Sequence, residues 1–288
     1  IFFLVMYGIA KAALMPFRRW LPAAMVAPTP VSALLHAVAV VKAGVFSVCK
    51  ISTYLIGVDK LAEFGQGGWL LYAAGISVVA ASFIALFQDN LKRRLAYSTV
   101  SQLSYITMGA AMLNPLGMMA AAMHIAAHAF GKITLFFAAG SIYTAAHKTK
   151  VSELDGIGRR MPFTMGAFTI GCLSMIGLPP TAGFISKWML LGAAWTTEQY
   201  FAVGVLVVST LLNAAYFLPI IHRAFFRAPP PPSAASDESS TAAGVPHGEA
   251  PWPIVVAVTG TAACAATVFF YPSVFADLAF ALMRGMPT

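Results

Sequence analysis

Charged residues are scarce in this sequence. Asp, Glu, Lys and Arg make up 10% of its 288 residues, whereas an average soluble domain contains about 25%. Hydrophobic residues make up 59%, and the mean hydropathy is +0.78. This composition excludes an ordinary soluble domain and indicates a polytopic membrane protein.

Cysteines are also few, and no cofactor motif is present. Cys49, Cys172 and Cys264 are far apart and mostly flanked by apolar residues, which excludes a disulfide framework and a metal-ligand spacing. The sequence has no paired carboxylates and no combination of nucleophile and base. We therefore expect no cofactor, no metal and no catalytic chemistry of the chain's own.

Long apolar runs, by contrast, recur along nearly the whole chain. A helix that crosses a bilayer core needs about 20 mostly apolar residues. We predict an all-α helical bundle with eight spans, at residues 1–15, 31–54, 69–87, 95–113, 117–146, 163–194, 199–221 and 253–275. Ile1 lies inside an apolar run without the basic region or cleavage site of a signal peptide, so we expect a fragment of a longer chain.

The net charge of +8 suggests nucleic-acid binding, but the distribution of the basic residues favours a membrane explanation. If the spans are correct, 11 of the 18 Lys and Arg residues lie on one side, and only Lys50, Lys60 and Arg284 lie on the other. Basic residues collect in cytoplasmic loops. The count therefore predicts that the first side is cytoplasmic and that both ends of the chain lie outside the cytoplasm.

The spans predict three regions. Residues 1–227 form a membrane domain, residues 228–252 form a flexible cytoplasmic loop, and residues 253–288 form a last membrane helix and a tail. The middle region is rich in Pro, Ser, Ala and Gly, which cannot bury enough apolar surface to fold. We expect it to be a linker without chemistry.

Four lysines fall inside the predicted spans: Lys11, Lys42, Lys132 and Lys187. A charge at the centre of a membrane helix costs about 2.5–3.5 kcal/mol even on lenient scales, so these lysines are expected to have a function. Lysines near helix ends can instead extend to the headgroups, an alternative that fits Lys11 and Lys187 best. Lys42 and Lys132 lie near the middle of their spans, where this is harder.

His124, His128 and Lys132 follow one another at intervals of four residues. This spacing places them on one face of a helix, in a polar stripe about 12 Å long. Imidazole titrates near neutral pH and burial disfavours a charged lysine, so the stripe predicts a proton relay. A metal site is disfavoured, because no carboxylate or cysteine lies nearby and the lysine would repel a cation. Histidines that only satisfy the core remain an alternative.

Other spans contain polar residues that could face this stripe. One span contains His36 and Lys42, and another has polar residues at helical spacing, namely Ser98, Ser101, Gln102 and Tyr105. Such a face can hold water inside a bundle or join membrane helices, and the sequence leaves both possibilities open.

Two spans contain Pro and Gly interruptions, at residues 15–22 and 177–183. Proline removes a backbone donor and glycine loosens a helix, and transporters use such breaks at their ion sites. Lys11 precedes the first interruption and Lys187 follows the second.

Together these motifs resemble the antiporter-like subunits shared by respiratory complex I and Mrp-type cation/proton antiporters. The motifs are Lys11 with WLP at 20–22, APTPVSALLH at 27–36, VKAG at 41–44, KRRLAYSTVSQ at 92–102, the stripe, and PPTAGFISK at 179–187. The resemblance extends to about residue 225. Residues 156–162 and 174–188 are most similar to the D-type subunits of Mrp antiporters.

The resemblance implies a bundle of about fourteen helices with two inverted five-helix repeats, each containing a discontinuous helix. This chain would contain the end of the first repeat, the whole second repeat and a closing helix. The implied site residues are Lys11 as the central lysine, His36 and Lys42 as connecting residues, the stripe as the middle of a hydrophilic axis, and Lys187 as its end. Family members have Lys or Glu at that end. The family pairs its first lysine with a glutamate on an earlier helix, which this sequence lacks.

The implied function is that of a proton-translocating membrane subunit of an Mrp-type cation/proton antiporter, or alternatively of NADH:quinone oxidoreductase. Expected partners are other membrane subunits, the bilayer, protons and sodium, without nucleic acid, and the expected location is the bacterial inner (plasma) membrane. Two other hypotheses are weaker. Four buried lysines would destabilise an inert scaffold, and an enzyme acting on lipid or quinone would need a catalytic motif.

Overall fold

The computed structural model describes residues 20–65, 67–228 and 248–284, together with Met6 and Ile9, and the backbone alone for His36 and residues 282–284. All regular elements in these ranges are helical. The α-helices are α1 (Trp20–Ala23), α2 (Thr29–Ala33), α3 (Val40–Lys50), α4 (Val58–Glu63), α5 (Gly67–Leu86), α6 (Leu91–Ala111), α7 (Pro115–Ala146), α8 (Ile157–Arg160), α9 (Pro162–Ile176), α10 (Ala182–Thr196), α11 (Tyr200–Phe226), α12 (Trp252–Phe270) and α13 (Ser273–Arg284). Short 3₁₀ turns are Ala24–Val26 and Val151–Glu153, and π-helical turns are Leu34–Val38 and Ile51–Leu55.

The predicted all-α membrane fold is confirmed, but the number of simple spans is smaller than predicted. Among the described residues, four helices are long and apolar enough to cross a membrane, namely α5, α7, α11 and α12. Residues 1–15 lie outside the described residues apart from Met6 and Ile9. Three predicted spans differ in form: 31–54 contains two π turns, 95–113 belongs to the polar helix α6, and 163–194 is divided between α9 and α10.

Helix α7 is the centre of the bundle. It has 32 residues, about 48 Å at the usual rise per residue, and it packs against α6, α9, α10 and α12. The Asn114 side chain accepts a hydrogen bond from Gly117 N at 2.8 Å and caps its start, while Pro115 occupies the first turn. Phe130 packs against Phe275 and Phe137 packs against an apolar cluster, as predicted for the face opposite the stripe.

The second predicted interruption is confirmed as a break between α9 and α10. Helix α9 ends at Gly177, whose φ of +88° is in the left-handed region that favours glycine. Helix α10 begins at Ala182. The two half-helices touch closely, because a Cβ added at Gly183 would lie 1.8 Å from the Ser174 carbonyl oxygen. Only glycine permits this approach.

The basic loops meet at one end of the bundle. Leu91 N donates to Thr149 O at 2.9 Å, and Val151 N donates to Asp89 O at 2.7 Å. Gly156 N donates to Arg223 O at 3.1 Å, which joins the end of α11 to the same loops. The prediction that Lys92–Arg94 and 148–160 share one side is therefore confirmed, and we call this region the basic end. Its cytoplasmic location stays a prediction.

The chain returns from the predicted linker to the start of α9. Glu249 accepts hydrogen bonds from Phe163 N at 2.7 Å and Thr164 N at 3.2 Å, and its other carboxylate oxygen accepts one from the Thr164 hydroxyl at 2.6 Å. Glu249 thereby caps a helix in another part of the chain, although the sequence predicted no role for residues 228–252. Residues 229–247 lie outside the described residues, and the three-region division stays a prediction.

Candidate functional site

The first contact of the site joins α3 to the stripe on α7. Lys42 is 9% exposed and His128 is fully buried. Lys42 Nζ is hydrogen-bonded to His128 Nδ1. The predicted flanking of the stripe by Lys42 is therefore present, through the side chain in the middle of the stripe.

His124, one turn before His128, is held by two neighbouring helices. Its Nε2 is hydrogen-bonded to Gln102 Oε1 of α6 at 3.0 Å, and its Nδ1 to the Ser186 hydroxyl of α10 at 2.9 Å. The His124 and His128 ring centroids lie 6.3 Å apart. Polar contacts on both ring nitrogens fix the orientation of the His124 imidazole, and either tautomer satisfies them.

Lys187 lies at the break between α9 and α10. Its Nζ donates hydrogen bonds to Met175 O at 2.7 Å and Ile176 O at 3.0 Å. These carbonyls belong to the last turn of α9, where backbone acceptors lack partners within the helix. The ammonium also lies 4.9 Å from the centre of the Tyr105 ring, which in turn packs edge-on against His124 with centroids 5.6 Å apart. Lys187 thus approaches the stripe through Tyr105.

The Met175 carbonyl oxygen is a meeting point that the sequence did not predict. Besides Lys187, it accepts hydrogen bonds from Gln102 Nε2 at 3.2 Å and from Asn213 Nδ2 at 3.4 Å. These donors come from α10, α6 and α11, so one carbonyl at the break connects three helices. The Asn213 side chain also accepts a hydrogen bond from the Tyr216 hydroxyl.

Lys132 occupies the other end of the stripe. It is fully buried, and its Nζ donates to Leu95 O at 3.0 Å and to the Ser98 hydroxyl. Both acceptors lie nearer the basic end than Gln102, which contacts His124. Lys132 therefore does not lie between the histidines and Lys187, and the stripe has Lys187 near one end and Lys132 at the other.

No carboxylate neutralises these cations within the part of the chain that the structure describes. None of its Asp and Glu side chains is buried; they are Asp59, Glu63, Asp89, Glu153, Asp155, Glu198, Glu249 and Asp277. The buried lysines instead contact carbonyls, a hydroxyl, an imidazole and aromatic rings. Each of these partners can also accept a hydrogen bond from a neutral amine.

The structure brings together five of the seven predicted site residues: Lys42, His124, His128, Lys132 and Lys187. Lys11 lies outside the described residues, and for His36 the structure describes only the backbone, in the turn Leu34–Val38. All four members of the hydroxyl stripe on α6 face the interior: Ser98 contacts Lys132, Gln102 contacts His124, Tyr105 lies over Lys187, and Ser101 is hydrogen-bonded to Ser82 at 2.8 Å.

Sequence reasoning missed Ser186 and a second polar stripe on α11. That stripe consists of Ser209, Asn213 and Tyr216, and the Ser209 hydroxyl accepts a hydrogen bond from Tyr105 at 2.5 Å. Its spacing of four and three residues is the same helical signal that identified α6. The Met175 carbonyl has no sequence signal, because every residue has a carbonyl and only the fold shows which one is free.

Comparison with known proteins identifies the family. Residues 1–213 match the family described as NADH:quinone oxidoreductase/Mrp antiporter, TM. The chain belongs to this family. It is 40% identical over 220 residues to NADH-quinone oxidoreductase subunit N of Desulforudis audaxviator, covering 75% of this chain and 43% of that protein.

Relatives in this family include antiporter proteins as well. A probable K(+)/H(+) antiporter protein of Rhizobium meliloti, of the A/B type, is 36% identical over 233 residues, covering 78% of this chain and 23% of that protein. The structure of the Mrp complex from Dietzia sp. DQ12-45-1b matches with a TM-score of 0.83 at 21% identity, over 96% of this chain and 57% of that chain. The chain thus spans less than half of these curated relatives, which are membrane subunits of larger assemblies.

Proposed function

We propose that this chain moves protons across a bacterial inner membrane as part of a multi-subunit Mrp-type cation/proton antiporter. The observation that supports this most directly is the buried line of Lys42, His128 and His124, which continues through Tyr105 to Lys187. Each titratable member lies next to another polar or aromatic group of the line. Protons, and sodium as the coupled ion, are the proposed substrates.

The partners of the lysines suit repeated gain and loss of a proton. A buried carboxylate beside a lysine would favour its charged form and keep it protonated. Carbonyl and hydroxyl partners impose a weaker preference, so each lysine can respond to the charge of its neighbour. Like charges in a medium of low dielectric constant repel one another, and protonation of one site therefore favours release from the next.

The ends of the line provide two routes for the proton. A cavity of about 260 Å³ adjoins Lys187 and is also lined by Gly177 and Thr210, so the site at the break lies close to the bundle surface. Lys132 and Ser98 extend the stripe in the opposite direction, toward the basic end. In this proposal Lys132 passes protons between the histidines and the basic end, and Lys187 exchanges them at the break.

The second candidate is a proton-pumping subunit of NADH:quinone oxidoreductase. It is favoured by the 40% identity to a protein named as subunit N of that enzyme. The axis would work in the same way, but the driving force would come from a redox module elsewhere in the assembly.

One experiment separates the two candidates. The full-length protein, in its assembled complex, is reconstituted into vesicles containing a pH-sensitive dye. An imposed sodium gradient should move protons if the antiporter proposal is correct, whereas NADH with a quinone should do so if the second candidate is correct. Proton movement in neither case would contradict a transport function for the axis.

A further inference from the structure

Two cavities meet at the basic end, outside the axis. The first has a volume of about 760 Å³ and lies between Pro22–Val26, the start of α6 and the residues that follow α7. The second has a volume of about 660 Å³ and lies between residues 26–30, α7 and α12. Val26, Lys92 and Tyr143 line both cavities, so the two spaces are adjoining parts of one crevice.

The first cavity is basic. Lys92, Arg93 and Lys148 line it, and no Asp or Glu is among its lining residues. The nearby carboxylates are engaged elsewhere: Asp89 accepts hydrogen bonds from Ser152 N at 3.0 Å and from the Ser152 hydroxyl at 2.8 Å, and Glu153 accepts hydrogen bonds from backbone amides of its own loop. Three cations therefore face one space without a carboxylate among them.

The second cavity is mostly apolar and lies on the flank of two membrane helices. Phe137 of α7 and Ile254 and Ala257 of α12 contribute to its wall. Lys92 stands at the boundary between the two cavities, with its Nζ 5.9 Å from the centre of the Tyr143 ring. The crevice thus places positive charge at one end and apolar surface at the other, which matches an amphipathic anion.

We propose that this crevice binds one anionic phospholipid. Its phosphate lies among Lys92, Arg93 and Lys148, and an acyl chain extends along α7 and α12 into the apolar cavity. Basic pockets between membrane helices suit anionic lipid headgroups, and each Lys or Arg near the surface contributes about 1 kcal/mol. The lipid is favoured over free phosphate because the basic cavity continues into an apolar one on a membrane-facing flank. The lipid would join α7 to α12 and to residues 22–30.

Lipid binding is measured on the full-length protein in its assembled complex. The complex is delipidated in mild detergent and titrated with phosphatidylglycerol or phosphatidylcholine, and the bound lipid is counted by native mass spectrometry. Phosphatidylglycerol should bind more tightly than phosphatidylcholine. In a Lys92→Gln, Lys148→Gln variant the affinity for phosphatidylglycerol should fall by roughly tenfold or more, from the loss of two phosphate-facing charges.

The matched control is an Arg159→Gln, Arg160→Gln variant, which removes the same charge from exposed positions at the basic end that line neither cavity. It should bind phosphatidylglycerol as the unchanged protein does. Ala257→Trp, at an exposed position in the apolar wall, should reduce lipid binding by blocking the acyl chain. Equal binding of the two lipids, equal loss in both charge variants, or failure to bind any lipid would overturn the proposal. Displacement of the lipid by inorganic phosphate, with no effect of Ala257→Trp, would identify a free-anion site instead.

Discussion

The interior axis and the basic end hold their cations in different ways. In the interior the cations are lysines, and Lys132 and Lys187 contact carbonyls and a hydroxyl. At the basic end they include arginines paired with a carboxylate: Asp155 lies 3.6 Å from Arg223 and 3.7 Å from Arg227. Lysine can lose its proton when buried, whereas arginine stays charged.

This difference indicates two tasks for positive charge in one chain. At the basic end permanent charge fixes loops and the ends of helices. In the interior the charge has to change, so partners that would make it permanent are absent from the described residues. The break between α9 and α10 serves the second task, because it supplies backbone carbonyls to Lys187 without adding a charged group.

Replacement of Lys132 should have the largest effect on function. In the full-length, assembled protein, Lys132→Ala should reduce proton flux into vesicles by about 100-fold, the typical contribution of one positioned proton-transfer group. Lys132→Arg should also impair flux, because a guanidinium stays protonated. Assembly, measured by co-purification of the other subunits, should be unchanged in Lys132→Ala.

The control for this prediction is Lys60→Ala, which removes an exposed lysine in α4 outside the axis. It should retain the flux of the unchanged protein. Wild-type flux in Lys132→Ala would remove Lys132 from the mechanism and leave the stripe with a structural role only.

Much of this axis was predictable from sequence, since His124, His128 and Lys132 share one face of any helix that contains them. The break at 177–183 was also predictable, because Gly and Pro interrupt helices in any context. The order along the axis was not. It depends on how α6 lies against α7, which places Lys132 beside Ser98 and His124 beside Gln102.

The simple count of spans failed for a related reason. Buried polar residues lower the hydropathy of α6 even though it is among the most buried helices of the bundle. The contribution of Glu249 to α9 was hidden as well, because it joins residues about 85 positions apart. Long-range contacts of this kind leave no local pattern.

Substitution of Gly183 should give the second-largest effect, on stability. Gly183→Ala would place a Cβ 1.8 Å from the Ser174 carbonyl oxygen, so α9 and α10 must move apart. Overpacking of this severity should cost about 3 kcal/mol, measured as a lower thermal unfolding temperature of the purified complex. Gly166→Ala is the control, since its Cβ would meet no atom within 4 Å, and alanine should stabilise α9 by up to about 1 kcal/mol. Equal stability of the two variants would contradict the close approach at the break.

Loss of the Gln102 side chain should have an intermediate effect. Gln102→Leu removes the hydrogen bond to His124 Nε2 and one of the donors to Met175 O. A buried polar group left without its partner costs about 2 kcal/mol, and the freed imidazole should also slow proton flux. Ser104→Ala is the matched control on α6, because that hydroxyl bonds only to Val100 O at 2.9 Å within its own helix. If Gln102→Leu transports protons as fast as Ser104→Ala, the orientation of His124 is not important for the relay.

The smallest effect should come from Asp89, an exposed carboxylate at the basic end. Burial opposes ionisation slightly, but hydrogen bonds from Ser152 and the nearby charges of Arg94 and Lys150 hold the pKa of Asp89 below its ordinary value. A carboxylate with a lowered folded-state pKa stabilises the protein above its unfolded pKa of about 3.9. That stabilisation is lost as the pH falls through the lower folded pKa. Because the group is exposed and screened, Asp89→Asn should lower the unfolding temperature by no more than about 2 °C at pH 7. The difference between Asp89→Asn and the unchanged protein should shrink as the pH is taken from 5 toward 3. A difference that stays constant over this range would show that the Asp89 carboxylate does not stabilise the loops through its charge, and the contrast between fixed charge at the basic end and mobile charge in the interior would then rest on Asp155 alone.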